Sequence, residues 1–234
     1  MTAEYIDSHE IKLPELQKFD MCNIGANRSL LFLGQRNTGK TTLVFDYLKN
    51  HANIKTGTVI SLIDQFRLNY RTEIPRALIH HDPSVELLDD FMKQQSHCDS
   101  LNSFLVLDEL LLPDENVSDY LYTVLELLRN GQQLKTTLIL TSTDWDDLTD
   151  LLITHFEYAF VTKRTNRFAL KQIHKLFASS FDSYEQFAGL MSKYCKNYAC
   201  LVINLKNQAG SITNRVFWHK AAKLTESRLN HVAL

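Results

Sequence analysis

Chain breakers are scarce: seven glycines and four prolines in 234 residues. No low-complexity stretch, long linker or internal repeat is visible. Cysteine is equally sparse. Cys22, Cys98, Cys195 and Cys200 form no C-x-x-C pair, and His97-Cys98 has no second pair at zinc spacing. That argues against a disulfide framework or a zinc centre and for buried thiols in a reducing compartment. No apolar run approaches the roughly 20 residues of a membrane span. Met1 to Asp20 carries charge throughout, unlike a secretory signal. An excess of one charge is missing too, since 25 Lys and Arg against 27 Asp and Glu leave a net charge of −2. A protein that coats nucleic acid with its whole surface is usually basic. Any such contact here has to come from a few local groups, or from copies arranged around a ring. Apolar residues are what the chain has in quantity, at 44%. That suffices for one large domain, or one domain with an appendage.

Against this background one segment stands out. Gly34-Gln35-Arg36-Asn37-Thr38-Gly39-Lys40-Thr41 fits the phosphate-loop pattern G-x-x-x-x-G-K-S/T. The apolar stretch Leu30–Leu33 precedes it, and Thr42 to Leu48 can carry a helix. In that strand–loop–helix setting, backbone N–H groups from Gly34 to Thr42 wrap phosphates and the new helix points its positive end at them. Lys40 would reach the outer phosphates and Thr41 would hold Mg²⁺, which makes ATP with Mg²⁺ the expected ligand.

The remaining elements alternate. Strands are expected at Thr56–Leu62, Ala77–His80, Phe104–Leu107, Thr137–Ser142, Tyr158–Val161, Ala199–Leu205 and Arg215–His219. Between them, helices are expected from Pro83-Ser84 to Gln95, at Ser118–Asn130, at Phe168–Ser179 and at Ser183–Lys196, with a turn around Gly210. Continuous apolar runs rather than alternation mark strands buried on both faces. The class is α/β, a three-layer sandwich with a mainly parallel sheet. Residues 26–222 form the domain, 1–25 an N-terminal extension and 223–234 a helical or frayed tail.

The run Phe104–Leu107 ends in Asp108-Glu109, the Walker B pattern. Asp108 would hold the magnesium shell. Glu109 would orient and polarise a water for attack on the γ-phosphate, which makes hydrolysis the expected chemistry. The alternative is that the two acids only begin a solvated loop. Thr141, Ser142 and Thr143 end a neighbouring strand and either sense the γ-phosphate or cap the following segment, Asp144–Ile153. Arg129, near a helix end, is either an arginine finger for a neighbouring subunit's nucleotide or a cation placed for the helix dipole. Lys163, Arg164, Arg167, Lys171 and Lys175 are candidates for DNA contact or a solvated helix face.

These residues, in this order, resemble the genome-packaging ATPases of poxviruses and other large double-stranded DNA viruses, a branch of the FtsK/HerA superfamily with relatives in virophages. The resemblance runs through Leu30–Asp46, Ile74-Pro75, Leu78–His80, Leu105–Glu109, Leu128–Gly131, Leu138–Ser142 and Phe156–Phe160. Its more distinctive portion is C-terminal: Phe181, Glu185 and Phe187, then Leu201–Asn204 and Val216–Ala221. It implies a RecA-like ASCE P-loop NTPase fold, with the hydroxyl strand between the Walker A and Walker B strands. It also implies a homo-oligomeric ring of five or six subunits that translocates double-stranded DNA into a capsid, docked on capsid or portal-vertex proteins in the cytoplasm of an infected cell. The chain departs from the branch at Gln132-Gln133, where arginine–histidine is common, at Thr143, where glutamine is common, and at Ile153, where arginine is common. A plasmid or cellular DNA translocase, a nucleoside kinase and a slow nucleotide switch are the alternatives. The kinase is disfavoured by a water-activating Glu109 and by the lack of an arginine-rich lid segment.

Overall fold

The computed structural model describes residues 12–51, 54, 56–61, 70, 79–97, 102–109, 117–143, 145, 148–207 and 210–222. Among them, one sheet is built from β1 (Ser29–Leu33), β2 (Thr56–Ser61), β3 (Ile79–His80), β4 (Ser103–Asp108), β5 (Thr136–Ser142), β6 (Tyr158–Thr162), β7 (Ala199–Asn204) and β8 (Val216–Lys220). The order across the sheet is β3-β2-β4-β5-β1-β6-β7-β8. Strands β1 to β6 pair in parallel, and β7 and β8 add an antiparallel margin. The helices are α1 (Lys40–Asn50), α2 (Val85–His97), α3 (Val117–Asn130), α4 (Asp150–Ile153), α5 (Arg167–Leu176) and α6 (Tyr184–Tyr194). No described helix is long and apolar enough to cross a membrane.

Every residue of β1, β4 and β5 is buried, as continuous apolar runs require. Successive side chains take opposite faces, and the core divides accordingly. Leu31, Leu33, Leu105, Leu107, Leu138 and Leu140 pack with Phe91 of α2, Val124 of α3, Ile173 of α5 and Phe187 of α6. Leu30, Phe32, Val59, Val106, Ile139 and Phe160 pack with Leu43, Val44 and Tyr47 of α1. The result is the expected three-layer sandwich, with β5 between the phosphate-loop strand β1 and the acid-bearing strand β4.

The expected elements are present with small shifts at their ends. Helix α5 stops at Leu176, earlier than Ser179, because Phe177 leaves helical geometry (φ −118°) and buries its ring. A 3-10 turn, Ala178–Ser180, comes next. Ser183 caps α6 by accepting the Gln186 N–H. Of the expected third strand, Ile79–His80 is seen, while residues 71–78 and the tail 223–234 lie outside the described residues. The described part of the N-terminal extension is built into the domain. Leu16, Phe19, Met21 and Ile24 are buried, and the Phe19 N–H donates to the Trp218 carbonyl of β8 at 2.8 Å. Cys195 and Cys200 are buried free thiols, and burial pushes the Cys195 pKa up to about 12, whereas Cys22 is exposed.

One polar clamp ties α1 to the far margin of the sheet. His219 of β8 places Nε2 2.8 Å from Asp46 Oδ2 of α1 and Nδ1 3.0 Å from the Phe19 carbonyl. Both groups are buried. Removing the imidazole leaves a buried carboxylate with only the long Ala222 N–H contact of 3.4 Å, so His219→Ala is expected to cost about 2 kcal/mol of stability. Chemical denaturation measures it, and an unchanged midpoint would contradict the clamp.

Candidate nucleotide site

The site is assembled at the carboxyl ends of the parallel strands. Gly34 leaves β1, and its N–H donates to the Ser142 carbonyl at the end of β5 at 3.0 Å. A Cβ at Gly34 would lie 1.7 Å from the Thr162 hydroxyl of β6, so only glycine fits between these strand ends. Thr38 Oγ1 donates to the Gln35 carbonyl at 2.6 Å and lies 2.6 Å from Thr162 Oγ1, which holds the loop in a tight turn. Gly39 then adopts φ +97°, a left-handed conformation that suits glycine, and α1 begins at Lys40.

Lys40 is buried, and its three ammonium protons are all used. Nζ lies 2.8 Å from the Gly34 carbonyl, 3.0 Å from Thr143 Oγ1 and 2.9 Å from Glu109 Oε1. Thr143 in turn donates to the other Glu109 oxygen, closing a lysine–threonine–glutamate triangle. Glu109 is itself held in the left-handed region (φ +58°), with its N–H donating to Thr141 Oγ1 at 2.8 Å. The Thr141 hydroxyl donates onward to Asp108 Oδ1 at 2.7 Å, and Ser61 of β2 donates to Oδ2 at 3.1 Å. Asp108 is buried, and that burial raises its pKa against the lowering effect of the two hydroxyl donors. Lys40, Asp108, Glu109, Thr141 and Thr143 are therefore one hydrogen-bonded cluster. The solvated-loop alternative for the two acids does not describe it.

Thr141 in β5 and Thr143 just after it donate to the acids. Thr149 caps the next helix, α4, by accepting the Leu152 N–H. Ser142 is buried and contributes its carbonyl to Gly34. Thr41 and Thr42, half-buried, begin α1 beside Lys40, while Arg36 and Asn37 are exposed at the tip of the loop. An all-oxygen set of the Thr41 hydroxyl and the Asp108 carboxylate suits Mg²⁺.

Other expected residues lie elsewhere. Arg129 sits in the last turn of α3, which ends before the start of β5, whereas the site is at the end of β5. Seven strand residues at about 3.3 Å each place it about 20 Å from Lys40. There it borders an open cleft of about 540 Å³ with Arg28, His155 and Lys206. His155 is pushed towards neutrality by burial and by the charges of Arg129 and Lys206. Arg164 also departs from expectation. Instead of joining the exposed Lys163, Arg167, Lys171 and Lys175, it is buried. Its guanidinium lies 5.6 Å from the Trp145 ring and donates to the Thr143 carbonyl, bracing the loop that carries Thr143. Ser61 and Thr162 are site residues whose signal was available, because both are hydroxyls ending parallel strands.

A parallel sheet with one strand between a phosphate loop and paired acids, all meeting at its carboxyl rim, defines the RecA-like P-loop NTPase fold. Solved structures with this fold include the genome packaging NTPase B204 of Sulfolobus turreted icosahedral virus 2 bound to AMPPCP. Its TM-score is 0.60 at 14% identity, covering 85% of this chain and all of that one. The conjugation coupling protein TcpA of pCW3, bound to ATPγS, matches at a TM-score of 0.55 and 11% identity over 90% of this chain and 70% of that one. In sequence the chain is 26% identical over 220 residues to "Uncharacterized protein L437" of Acanthamoeba polyphaga mimivirus, covering 88% of this chain and 77% of that protein. No protein-family model matches the chain.

The buried acid supplies a test. Because burial raises the Asp108 pKa, the folded state binds this proton more tightly than the unfolded chain does. Its contribution to stability is therefore full below the ordinary carboxylate pKa and lost as pH rises through the higher folded value. Asp108→Asn removes that penalty, so the variant should melt above wild type at pH 7, with the gap closing in acid. A lower Tm for the variant at pH 7 would contradict the assignment.

Proposed function

We propose that the protein is an ATP-hydrolysing motor that translocates double-stranded DNA into a viral capsid, within the packaging branch of the FtsK/HerA superfamily. The observation that carries this reading is the contact of Lys40 with Glu109, inside a cluster that also holds Asp108. A second acid placed directly after the magnesium carboxylate suits activation of a water, whereas in a kinase the acid has to face a substrate hydroxyl. The likeness to B204 and the mimivirus relative support the packaging assignment over a plasmid translocase.

In this mechanism the backbone from Gly34 to Thr42 cradles the phosphates, and Lys40 pairs with the outer ones. Thr41 and Asp108 would hold Mg²⁺, which neutralises charge on the β- and γ-oxygens when bound. An incoming γ-phosphate competes with Glu109 for the Lys40 ammonium. Glu109 is thereby freed to take a proton from the attacking water, while Thr143, hydrogen-bonded to both residues, reports whether that exchange has occurred. Arg129 is too far away to serve its own subunit's nucleotide. Its exposed place on the opposite rim suits action in trans, as in a ring of five or six subunits. The exposed Lys163, Arg167, Lys171 and Lys175 supply local cations for the DNA backbone, which a net charge of −2 does not provide overall. The setting is the cytoplasm of an infected cell, against capsid or portal-vertex proteins.

An ATPase assay with and without duplex DNA, run across protein concentration, tests the reading. Turnover per subunit should rise with DNA and with concentration; turnover indifferent to both would reject the motor. Lys40→Ala should abolish hydrolysis. Glu109→Gln should cut it by a factor of about 100 or more while binding ATP at least as tightly as wild type, because the competitor for Lys40 is weakened. Normal hydrolysis by Glu109→Gln would remove Glu109 from the mechanism.

A further inference from the structure

Tyr198 is the most exposed of the large hydrophobic side chains described, at 69%. It is also held in an unfavourable backbone conformation. Asn197 and Tyr198 are consecutive left-handed residues, with φ of +53° and +66°, a pairing disfavoured for a bulky aromatic. The turn they make leads into β7 immediately before Ala199, whose N–H donates to the Lys196 carbonyl at 3.0 Å. Strand β7 runs antiparallel to β6, with Cys200 opposite Thr162, so Tyr198 stands on the rim of the sheet that carries the phosphate loop. Its ring lies against that loop: a Cβ added at Gly39 would be 3.5 Å from Tyr198 Cδ1 and 3.7 Å from its Cβ.

The polarity of the site fixes which end of a nucleotide faces this ring. Glu109 and Thr143 both contact Lys40 from the β4 and β5 side, and Asp108 ends β4 on that same side. The γ-phosphate therefore belongs on that side, and the nucleoside end leaves the loop on the other, towards β6 and β7. Thr162 ends β6 beside Gly34, and the next group outward on that side is Tyr198.

We propose that Tyr198 is the platform on which the purine base of the bound nucleotide stacks; this rests on reading Gly34–Thr41 as a triphosphate site. Stacking on a phenol face needs no hydrogen-bond pattern, so ATP and GTP bind alike. Purines exceed pyrimidines because they overlap more of the ring. The exposure and the backbone strain then have a common purpose, since the ring is held out beside the loop for a partner that covers it.

Calorimetry on the full chain, titrated with Mg·ATP, Mg·CTP and inorganic tripolyphosphate, separates the base from the phosphates. Tyr198→Ala should weaken ATP binding about tenfold or more, erase the preference for ATP over CTP and leave tripolyphosphate affinity unchanged. Tyr198→Trp, which keeps a stacking face, should hold ATP at least as tightly as wild type. ATP affinity unaltered in Tyr198→Ala would overturn the platform. So would a parallel loss of tripolyphosphate, because a base platform does not touch phosphate. Wild-type protein that bound neither ATP nor tripolyphosphate would instead take down the phosphate site, and the platform with it.

Discussion

A buried ammonium needs partners, and the partners of Lys40 organise one whole rim of the molecule. A lysine this far from water is stable only if its charge is met, and here the Gly34 carbonyl, the Thr143 hydroxyl and the Glu109 carboxylate meet it. Each partner comes from a different element: the end of β1, the residue after β5 and the residue after β4. The observed order, with β5 between β1 and β4, brings all three to one point on the rim. Sheet topology and site chemistry are thus the same constraint seen at two scales.

The cluster extends past the lysine through hydroxyls. Thr141 accepts from the Glu109 backbone and donates to Asp108, so the two acids are aimed in different directions by one side chain. Arg164, braced on Trp145, fixes the Thr143 carbonyl from behind. Such fixed dipoles around developing charge are what a hydrolase needs, because they do not have to reorganise during reaction. On the other side, the Asp46–His219 contact holds the body of α1, so the helix is anchored both at Lys40 and along its length.

Much of this was legible in the sequence, for identifiable reasons. The phosphate loop is a contiguous motif with a backbone mechanism, and four apolar residues before Asp108-Glu109 can only be a buried strand in this setting. Thr143, Thr141 and Ser61 were harder, because a hydroxyl at a strand end serves equally as a cap, and only the pairing register decides between the two. Arg164 was misleading for the same reason. In sequence it joins Lys163, Arg167 and Lys171, whereas in the structure it is buried with contacts to Trp145 and the Thr143 carbonyl, about twenty residues earlier. Tyr198 carried no signal, since neither its backbone angle nor its approach to Gly39 is encoded by a motif. Arg129 lies in the last turn of α3, where its charge suits the helix dipole, so the chain alone does not separate that placement from a role in trans.

A structure of the protein with Mg²⁺ and a non-hydrolysable ATP analogue would decide the matter. The γ-phosphate should lie within hydrogen-bonding distance of Lys40 Nζ, with Asp108 and Thr41 in the metal shell and Glu109 turned from the lysine towards a water. An analogue bound elsewhere, or a Lys40–Glu109 contact left intact beneath it, would contradict the exchange on which this mechanism is built.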